Sequence, residues 1–316
     1  MNYTLIIPFY NEEQNIFFLL EKIEKNLINL QNENRIFQLI LIDDGSSDKT
    51  YEKLKNFSFK IKNVIIYKHK KNLSQSASIL LGIVNSKYEN IITIDGDGQN
   101  DPEDIEKLIT EFEKGSDMVI GWRKNRKDNF FNKKIPSYVA NFFVRLFSKS
   151  KIHDHGCALK VFKKNKMDDF TNWGDFHRLL AARFSYNGYS VKEIPVNHFE
   201  RKYGSSNYGF SRVLYVILDI IYLKFFKNYK TQSIYFFGMF SFFAFSLSAL
   251  CLLYMLYLKY FSNTSFIQTP LPILSVFFFS ISIIILFIGF LSQLIINQGT
   301  TTKNFDNNVE EKIEIN

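Results

Sequence analysis

Leu39-Ile40-Leu41-Ile42-Asp43-Asp44-Gly45-Ser46 and, further along, Ile91-Ile92-Thr93-Ile94-Asp95-Gly96-Asp97 share one pattern: a short apolar, largely β-branched run that stops abruptly in carboxylates and glycine. Such runs read as buried strands. Carboxylates cannot follow them into a core, so the acidic groups emerge at the strands' carboxyl ends. Working outward, Leu5-Ile6-Ile7, Val64-Ile65-Ile66-Tyr67 and Met118-Val119-Ile120 repeat the apolar run. Between the first two strands, Phe17, Leu20, Ile23, Leu27 and Leu30 make a helical stripe, and Ser47-Asp48 can cap the next helix. Alternating strands and helices over the first ~120 residues predict an α/β fold with a mainly parallel sheet flanked by helices. Ligands of such open sheets sit beyond the carboxyl ends of the strands. Tyr10-Asn11-Glu12, Asp43-Asp44-Gly45-Ser46, Asp95-Gly96-Asp97 and Gly121-Trp122-Arg123 are therefore expected to converge on one site.

The chemistry of that site is acidic. Asp95, Asp97 and Gln99 offer two carboxylates and an amide to a divalent ion already held by a diphosphate, and Mg²⁺ and Mn²⁺ prefer that ligand mixture. A bare D-x-D is a weak signal, because Asp and Gly are common in turns; its place after the fourth strand, downstream of Asp43-Asp44-Gly45-Ser46, makes it specific. The chain lacks G-x-G-x-x-G after the first strand and lacks G-x-x-x-x-G-K-[ST] throughout, which excludes an ordinary dinucleotide binder and a P-loop enzyme.

The 316 residues, 46% of them hydrophobic, allow one core of ~200 residues and an additional apolar part. No charge occurs over residues 232–258 or 260–302. Two transmembrane helices are predicted, at 234–258 and 273–296, joined by a link containing Asn263, Thr264 and Gln268. Lys224, Lys227 and Lys230 before the first span, against Lys259 alone in the link, orient both ends of the hairpin inward. With no basic leader at Met1, the first domain is expected in the cytosol, on an integral protein of the cytoplasmic membrane. Cys157 and Cys251 suggest neither a disulfide nor a zinc site. A net charge of +8 suits phosphate-bearing substrates or anionic lipid. A nucleic-acid binder would explain that charge but not the spans or the acidic pocket. Phe130, Phe131, Phe142 and Phe143 interleaved with Arg126, Lys133, Lys134, Arg145, Lys149 and Lys151 read as a surface for lipid headgroups. The expected organisation is a catalytic domain over 1–208, an interfacial amphipathic helix over 209–230, the spans within 231–300 and a disordered tail over 301–316. Cutting after Tyr229 is expected to release a soluble domain that binds nucleotide.

Several motifs occur together in order. Pro8-Phe9-Tyr10-Asn11-Glu12 resembles P-x-Y-N-E, Asp43 to Thr50 resembles D-D-G-S-x-D-x-T, and Asp95 to Glu103 resembles D-x-D-x-Q-x-x-P-E. His153-Asp154-His155-Gly156-Cys157, His177-Arg178, Glu193-Ile194-Pro195-Val196 and Arg201 through Tyr208 follow. In these the chain resembles glycosyltransferase family 2, in its dolichyl- and undecaprenyl-phosphate branch, up to about residue 300. The resemblance implies a GT-A fold and inverting transfer from a nucleotide-sugar donor to polyprenyl phosphate at the membrane lipid surface. It further implies that Pro8, Tyr10, Glu12, Ile42 and Asp44 hold the nucleoside, that Asp95, Gly96 and Asp97 handle diphosphate and metal with Gln99, and that Arg123 and Arg201 contact phosphates. Mg²⁺ or Mn²⁺ is the implied cofactor. Two departures stand out: Asn207 replaces a lysine of G-x-S-K-[YL], and Asn72-Leu73-Ser74-Gln75 lacks a glycine of N-x-G-Q. A processive polysaccharide synthase would carry Q-x-x-R-W, which is absent; a silent scaffold retaining the fold is the other alternative. Asp154 and Asp175 could act as bases, and His177 and His198 as acid/base groups, but a structural role is the stronger reading for each. Whether the chain forms a homo-oligomer is left open.

Overall fold

The computed structural model describes residues 1–31, 35–124, 144–145, 151–167, 176–200, 218, 233–298 and 309–315. Strand β1 (Asn2–Phe9) leads through helix α1 (Ile16–Gln31) to β2 (Ile36–Asp43), and α2 (Thr50–Lys55) leads to β3 (Val64–His69). Helix α3 (Gln75–Val84), β4 (Asn90–Thr93), α4 (Asp104–Phe112) and β5 (Met118–Trp122) continue the alternation, followed by β6 (Lys160–Lys163), α5 (Phe176–Tyr186) and β7 (Val191–Pro195). Helices α6 (Ser233–Phe261) and α7 (Leu271–Gln298) come next, and β8 (Val309–Ile315) is the last described strand. The strands form one sheet in the order β7-β5-β6-β4-β1-β2-β3-β8. β4, β1, β2 and β3 run parallel, whereas β6 is antiparallel to β4 and β5, and β8 to β3.

β1 is buried from Tyr3 to Phe9 and β2 from Phe37 to Asp43, because this sheet is covered on both faces. Helix α1 turns Ile16, Leu19, Leu20, Ile23, Leu27 and Leu30 into the core. Phe17, expected in that stripe, is exposed: Ile16 takes the inward position at the helix start, and Phe17, ~100° round the helix, leans on Phe57 instead. Strands β6 and β7 were not foreseen. Val161 and Phe162 sit between Lys160 and Lys163, and so short an apolar run does not stand out until it is paired.

The tail corrects a second expectation. Its charges suggested disorder, yet Val309–Ile315 pairs antiparallel with β3, and alternate residues Val309, Glu311, Ile313 and Ile315 turn to the half-buried side. Glu310 meets Lys68 at 3.0 Å and Glu311 meets Lys55 at 3.4 Å. β8 thus covers an edge that would otherwise present unpaired backbone groups.

The chain divides into two units: Met1–Ile221 together with Asn304–Asn316, and Tyr222–Lys303. The second unit is a helical hairpin, and its packing is inside out for water. Its buried positions include Ser241, Ala244 and Ser248 on α6 and Ser275, Ser282 and Gly289 on α7, while phenylalanines and leucines face outward. Ser241 Oγ donates to the Ser282 carbonyl and Ser248 Oγ to the Ser275 carbonyl, each at 2.8 Å. A Cβ on Gly289 would lie 2.7 Å from Phe237 Cβ, so the backbone must come close there. Small residues at the seam and polar groups as glue are the packing of helices in hydrocarbon. Both helices are long and apolar enough to cross a membrane, and only 17% of each apolar window is buried, unlike the core helix of a soluble protein.

Candidate active site

The winding of the sheet reverses between β1 and β4, since β2 and β3 lie on one side of β1 and β4 on the other. β1 and β2 end level, Phe9 opposite Asp43, whereas β4 stops earlier, with its last residue Thr93 opposite Ile6. Beyond the strands the chain keeps this contact, with Asp44 N donating to the Phe9 carbonyl at 2.8 Å and Ile94 N to the Ile6 carbonyl at 3.3 Å. The Asp95-Gly96-Asp97 turn then lies on the end of β1. A Cβ at Gly96 would stand 2.5 Å from the Phe9 ring and 2.7 Å from the Pro8 carbonyl, so only glycine fits.

The loops after β1 and β2 are laced together. Asn11 N donates to Ser46 Oγ at 2.9 Å, Ser47 N to Asn11 Oδ1 at 2.9 Å, and Glu12 N to Thr50 Oγ1 at 2.9 Å. Glu13 N donates to Asp48 Oδ2 at 3.2 Å, and the Glu13 carboxylate accepts from Lys49 N at 3.1 Å. Gly45, at φ 68°, packs against the backbone of Lys71 and Asn72, where a Cβ would come within 2.4 Å.

Asp95 and Asp97 form the acidic centre. Burial pushes the Asp95 carboxyl up to about 7; the neighbouring Asp97 adds to the rise, and Arg123, Lys160 and Arg178 oppose it. A proton or a cation relieves this repulsion. Asp97 Oδ1 accepts from Gln99 N at 3.0 Å, and Gln99 Nε2 donates to the Phe199 carbonyl at 3.3 Å, which leaves the amide oxygen available. Among the described residues no three His, Cys, Asp or Glu side chains gather closely enough to hold a metal by themselves. Two carboxylates and an amide oxygen suit a hard divalent cation whose remaining ligands come from phosphate oxygens. Beside them, Arg123 makes a two-pronged pair with Asp154, Nε to Oδ2 at 2.7 Å and Nη2 to Oδ1 at 2.8 Å. Lys160 is buried, donates to the His177 carbonyl, and has its ammonium pushed down to about 8 by burial.

The sequence model described as Glycosyl transferase family 2 matches residues 4–171, more than half of the chain. The chain belongs to glycosyltransferase family 2. Dodecaprenyl-phosphate galacturonate synthase of Rhizobium johnstonii is 35% identical to this transferase over 238 residues, covering 74% of the chain and 70% of that protein. Undecaprenyl-phosphate 4-deoxy-4-formamido-L-arabinose transferase of Proteus mirabilis is 32% identical over 222 residues, 69% of the chain and 66% of that protein. Among solved structures, glucosyl-3-phosphoglycerate synthase of Mycobacterium tuberculosis shares the fold. Its complex with phosphoglyceric acid has a TM-score of 0.52 and 13% identity over 69% of this chain and 79% of that one. Its complex with Mn²⁺, uridine-diphosphate-glucose and phosphoglyceric acid has a TM-score of 0.50 and 12% identity over 71% and 78%. These neighbours carry the same GT-A-like mixed sheet.

Within the transferase, Pro8, Tyr10, Glu12, Ile42, Asp44, Gly96, Asp95, Asp97, Gln99 and Arg123 all belong to strand ends or turns at this one rim. Their environments differ. Tyr10 is exposed; Pro8 and Ile42 are buried strand residues, and Glu12 accepts from Asn15 at 2.6 Å. Asp44 is buried, with His69 Nδ1 at 2.9 Å and the amides of Leu73 and Ser74 each at 3.0 Å. His177 pairs with Ser76 Oγ at 2.8 Å at the start of α5, a structural role, and Asp154 is committed to Arg123. Trp122 stacks on His153, centroids 4.7 Å apart. Arg201, Asn207, Asp175, Trp173, the interfacial segment 209–230 (Leu218 apart) and the basic-aromatic stretch over 126–143 lie outside the described residues. Gln75, whose Nε2 donates to Asp95 Oδ1, was not foreseen as a site residue, although its N-x-G-Q context was the available signal.

The missing glycine of that context is Ser74, which adopts φ 105° and ψ 153°, a region that glycine enters freely and side chains rarely do. Its Oγ caps Ala77 N at only 3.5 Å, so little is lost without it. Ser74→Gly is expected to stabilise the protein by about 1 kcal/mol, raising Tm by roughly 2–4 °C. Thermal unfolding of the detergent-solubilised chain measures this, and a lower Tm would contradict the strain.

Proposed function

We propose that this transferase moves a sugar, with inversion, from a nucleoside-diphosphate sugar to polyprenyl phosphate at the cytoplasmic face of the membrane. The observation that carries this reading is the pair Asp95 and Asp97 at the reversal of a GT-A-like sheet, in a chain that also bears an inside-out helical hairpin. The relatives named for polyprenyl-phosphate sugar transfer support it. Both segments flanking the hairpin belong to the catalytic unit, which favours spans that cross as a pair and return the tail to the catalytic side. Lys224, Lys227 and Lys230 before the first span, against Lys259 alone in the link, favour the cytosol for that side.

Pro8, Tyr10, Glu12, Ile42 and Asp44 form the nucleoside end of the site, and Gly96 lets the acidic turn sit against it. Asp95, Asp97 and Gln99 would hold Mg²⁺ or Mn²⁺, which supplies Lewis-acid stabilisation of the departing nucleoside diphosphate. Arg123, with Nη1 not engaged by Asp154, is placed to offset negative charge on the phosphates, as is Arg201 by its motif. A lipid monophosphate has a second pKa near ~6 and is largely ionised at neutral pH, so no base is required. That agrees with Asp154, whose two oxygens serve Arg123.

The test is transfer by the purified full chain with Mg²⁺ or Mn²⁺, undecaprenyl phosphate and a panel of radiolabelled nucleotide-sugars that includes uronic acid and amino-arabinose donors. Labelled lipid from at least one donor is expected. A panel without any labelled lipid, from protein that is folded and monodisperse, would remove the reading.

A further inference from the structure

Asp44 is almost entirely out of solvent, its side chain 4% exposed beside a His69 side chain 3% exposed. Three donors occupy its carboxylate: His69 Nδ1 and Leu73 N on Oδ1, and Ser74 N on Oδ2. The two backbone donors belong to the turn that launches α3, the same turn in which Ser74 is held at φ 105°. The next residue, Gln75, is the first of α3, and its amide Nε2 donates to Asp95 Oδ1. One turn of chain therefore links the buried acid after β2 to the acid after β4. Gly45 keeps the two loops in backbone contact, since nothing larger fits against Lys71 and Asn72.

We propose that Gln75 is a positioning residue that orients Asp95 for the donor diphosphate and its cation. The proposal rests on the donor-site reading of Asp95 and Asp97. A neutral amide suits the task, because it fixes Oδ1 without competing for the cation and leaves Oδ2 for a ligand, whereas a lysine there would compete for the charge. The strain at Ser74 fits as well: the carboxylate of Asp44 over-determines the turn, and the turn aims Gln75.

The test separates metal-dependent from metal-free binding on the full chain in detergent. UDP, GDP, ADP and CDP are titrated calorimetrically with Mn²⁺, and the matching nucleoside monophosphate of the tightest is titrated without metal. Gln75→Met keeps the side chain's length and removes the donor. It is expected to weaken Mn²⁺-dependent diphosphate binding by about tenfold, the effect of losing a group that orients a ligand. Metal-free monophosphate binding and Tm should stay at wild-type values. Gln75→Asn, too short to reach, should do the same and serves where the methionine variant folds poorly. Mn²⁺-dependent affinity within about twofold of wild type in both Gln75 variants would overturn the positioning role. Failure of the wild-type chain to bind any of the four diphosphates would instead sink the donor-site reading itself.

Discussion

Asp97→Asn is expected to lower kcat/KM for sugar transfer by about a thousandfold or more while leaving the protein folded. The amide keeps an oxygen for Gln99 N, so the turn after β4 retains its cap at the position where Asp97 Oδ1 now sits 3.0 Å away. What disappears is a negative charge. A cation held here would keep Asp95 as its one charged protein ligand beside neutral amide oxygens, and would be held too weakly to offset the charge on a departing diphosphate. The same substitution should affect metal-free stability in the opposite direction. Asp95 rises from 3.8 to about 7 in the folded chain, first through burial and next through Asp97. A carboxyl whose folded value is raised binds protons more tightly folded than unfolded, so stability falls as pH climbs from about 4 towards 7 and then levels off. Removing the Asp97 charge draws Asp95 back towards the ordinary range and relieves part of that loss. Thermal unfolding at pH 8 without metal should therefore give a Tm equal to or above wild type. Turnover near the wild-type rate in this variant would remove the metal argument. A depressed Tm would mean that Asp97 serves the fold more than the chemistry.

That Asp95 and Asp97 lie at a strand's carboxyl end was legible because an apolar run cannot continue into two carboxylates. The site's place on the rim came with the strands, because the carboxylates mark where each buried run stops, whereas the register between β1, β2 and β4 has no contrast of faces to announce it. Hydrogen bonds within the rim were less legible. Residue type and motif direct Asp44 and Arg123 to a ligand, but they do not reveal that one is also held by His69, Leu73 and Ser74 or that the other is forked onto Asp154. No spacing rule links Asp44 to Gln75, or Gln75 to Asp95, because those contacts depend on how three loops close over the sheet. Phe17 shows the same limit on a smaller scale: its hydrophobicity was plain, but Ile16 beside it owns the inward direction. The hairpin was legible from charge alone, while its serine seam needed both helices in register.

Removing β8 is expected to destabilise the catalytic unit and to open its sheet edge. The pairing of Val309–Ile315 with β3 runs from Val64 to His69 and closes one edge of the sheet. Without it, the β3 backbone is left open to any other strand, and Val309, Ile313 and Ile315 lose the cover they share with the core. Each half-buried aliphatic side chain contributes roughly 1 kcal/mol, so their loss together with the ladder is expected to lower Tm by about 10 °C and to promote aggregation. This changes what a truncation after Tyr229 should do. Judged from sequence, residues 1–229 form a self-sufficient soluble domain; in the structure they lack the sheet's eighth strand. That fragment is expected to elute as large aggregates or to unfold well below a companion in which residues 222–303 are replaced by a long Gly/Ser linker and β8 is kept. The companion should be monodisperse and should bind nucleoside diphosphate with Mn²⁺. If the 1–229 fragment proves equally monodisperse and unfolds at the companion's temperature, β8 is an ornament of the edge. If only the companion survives, the chain's last strand is part of the catalytic unit, and the hairpin is tethered to that unit at both of its ends.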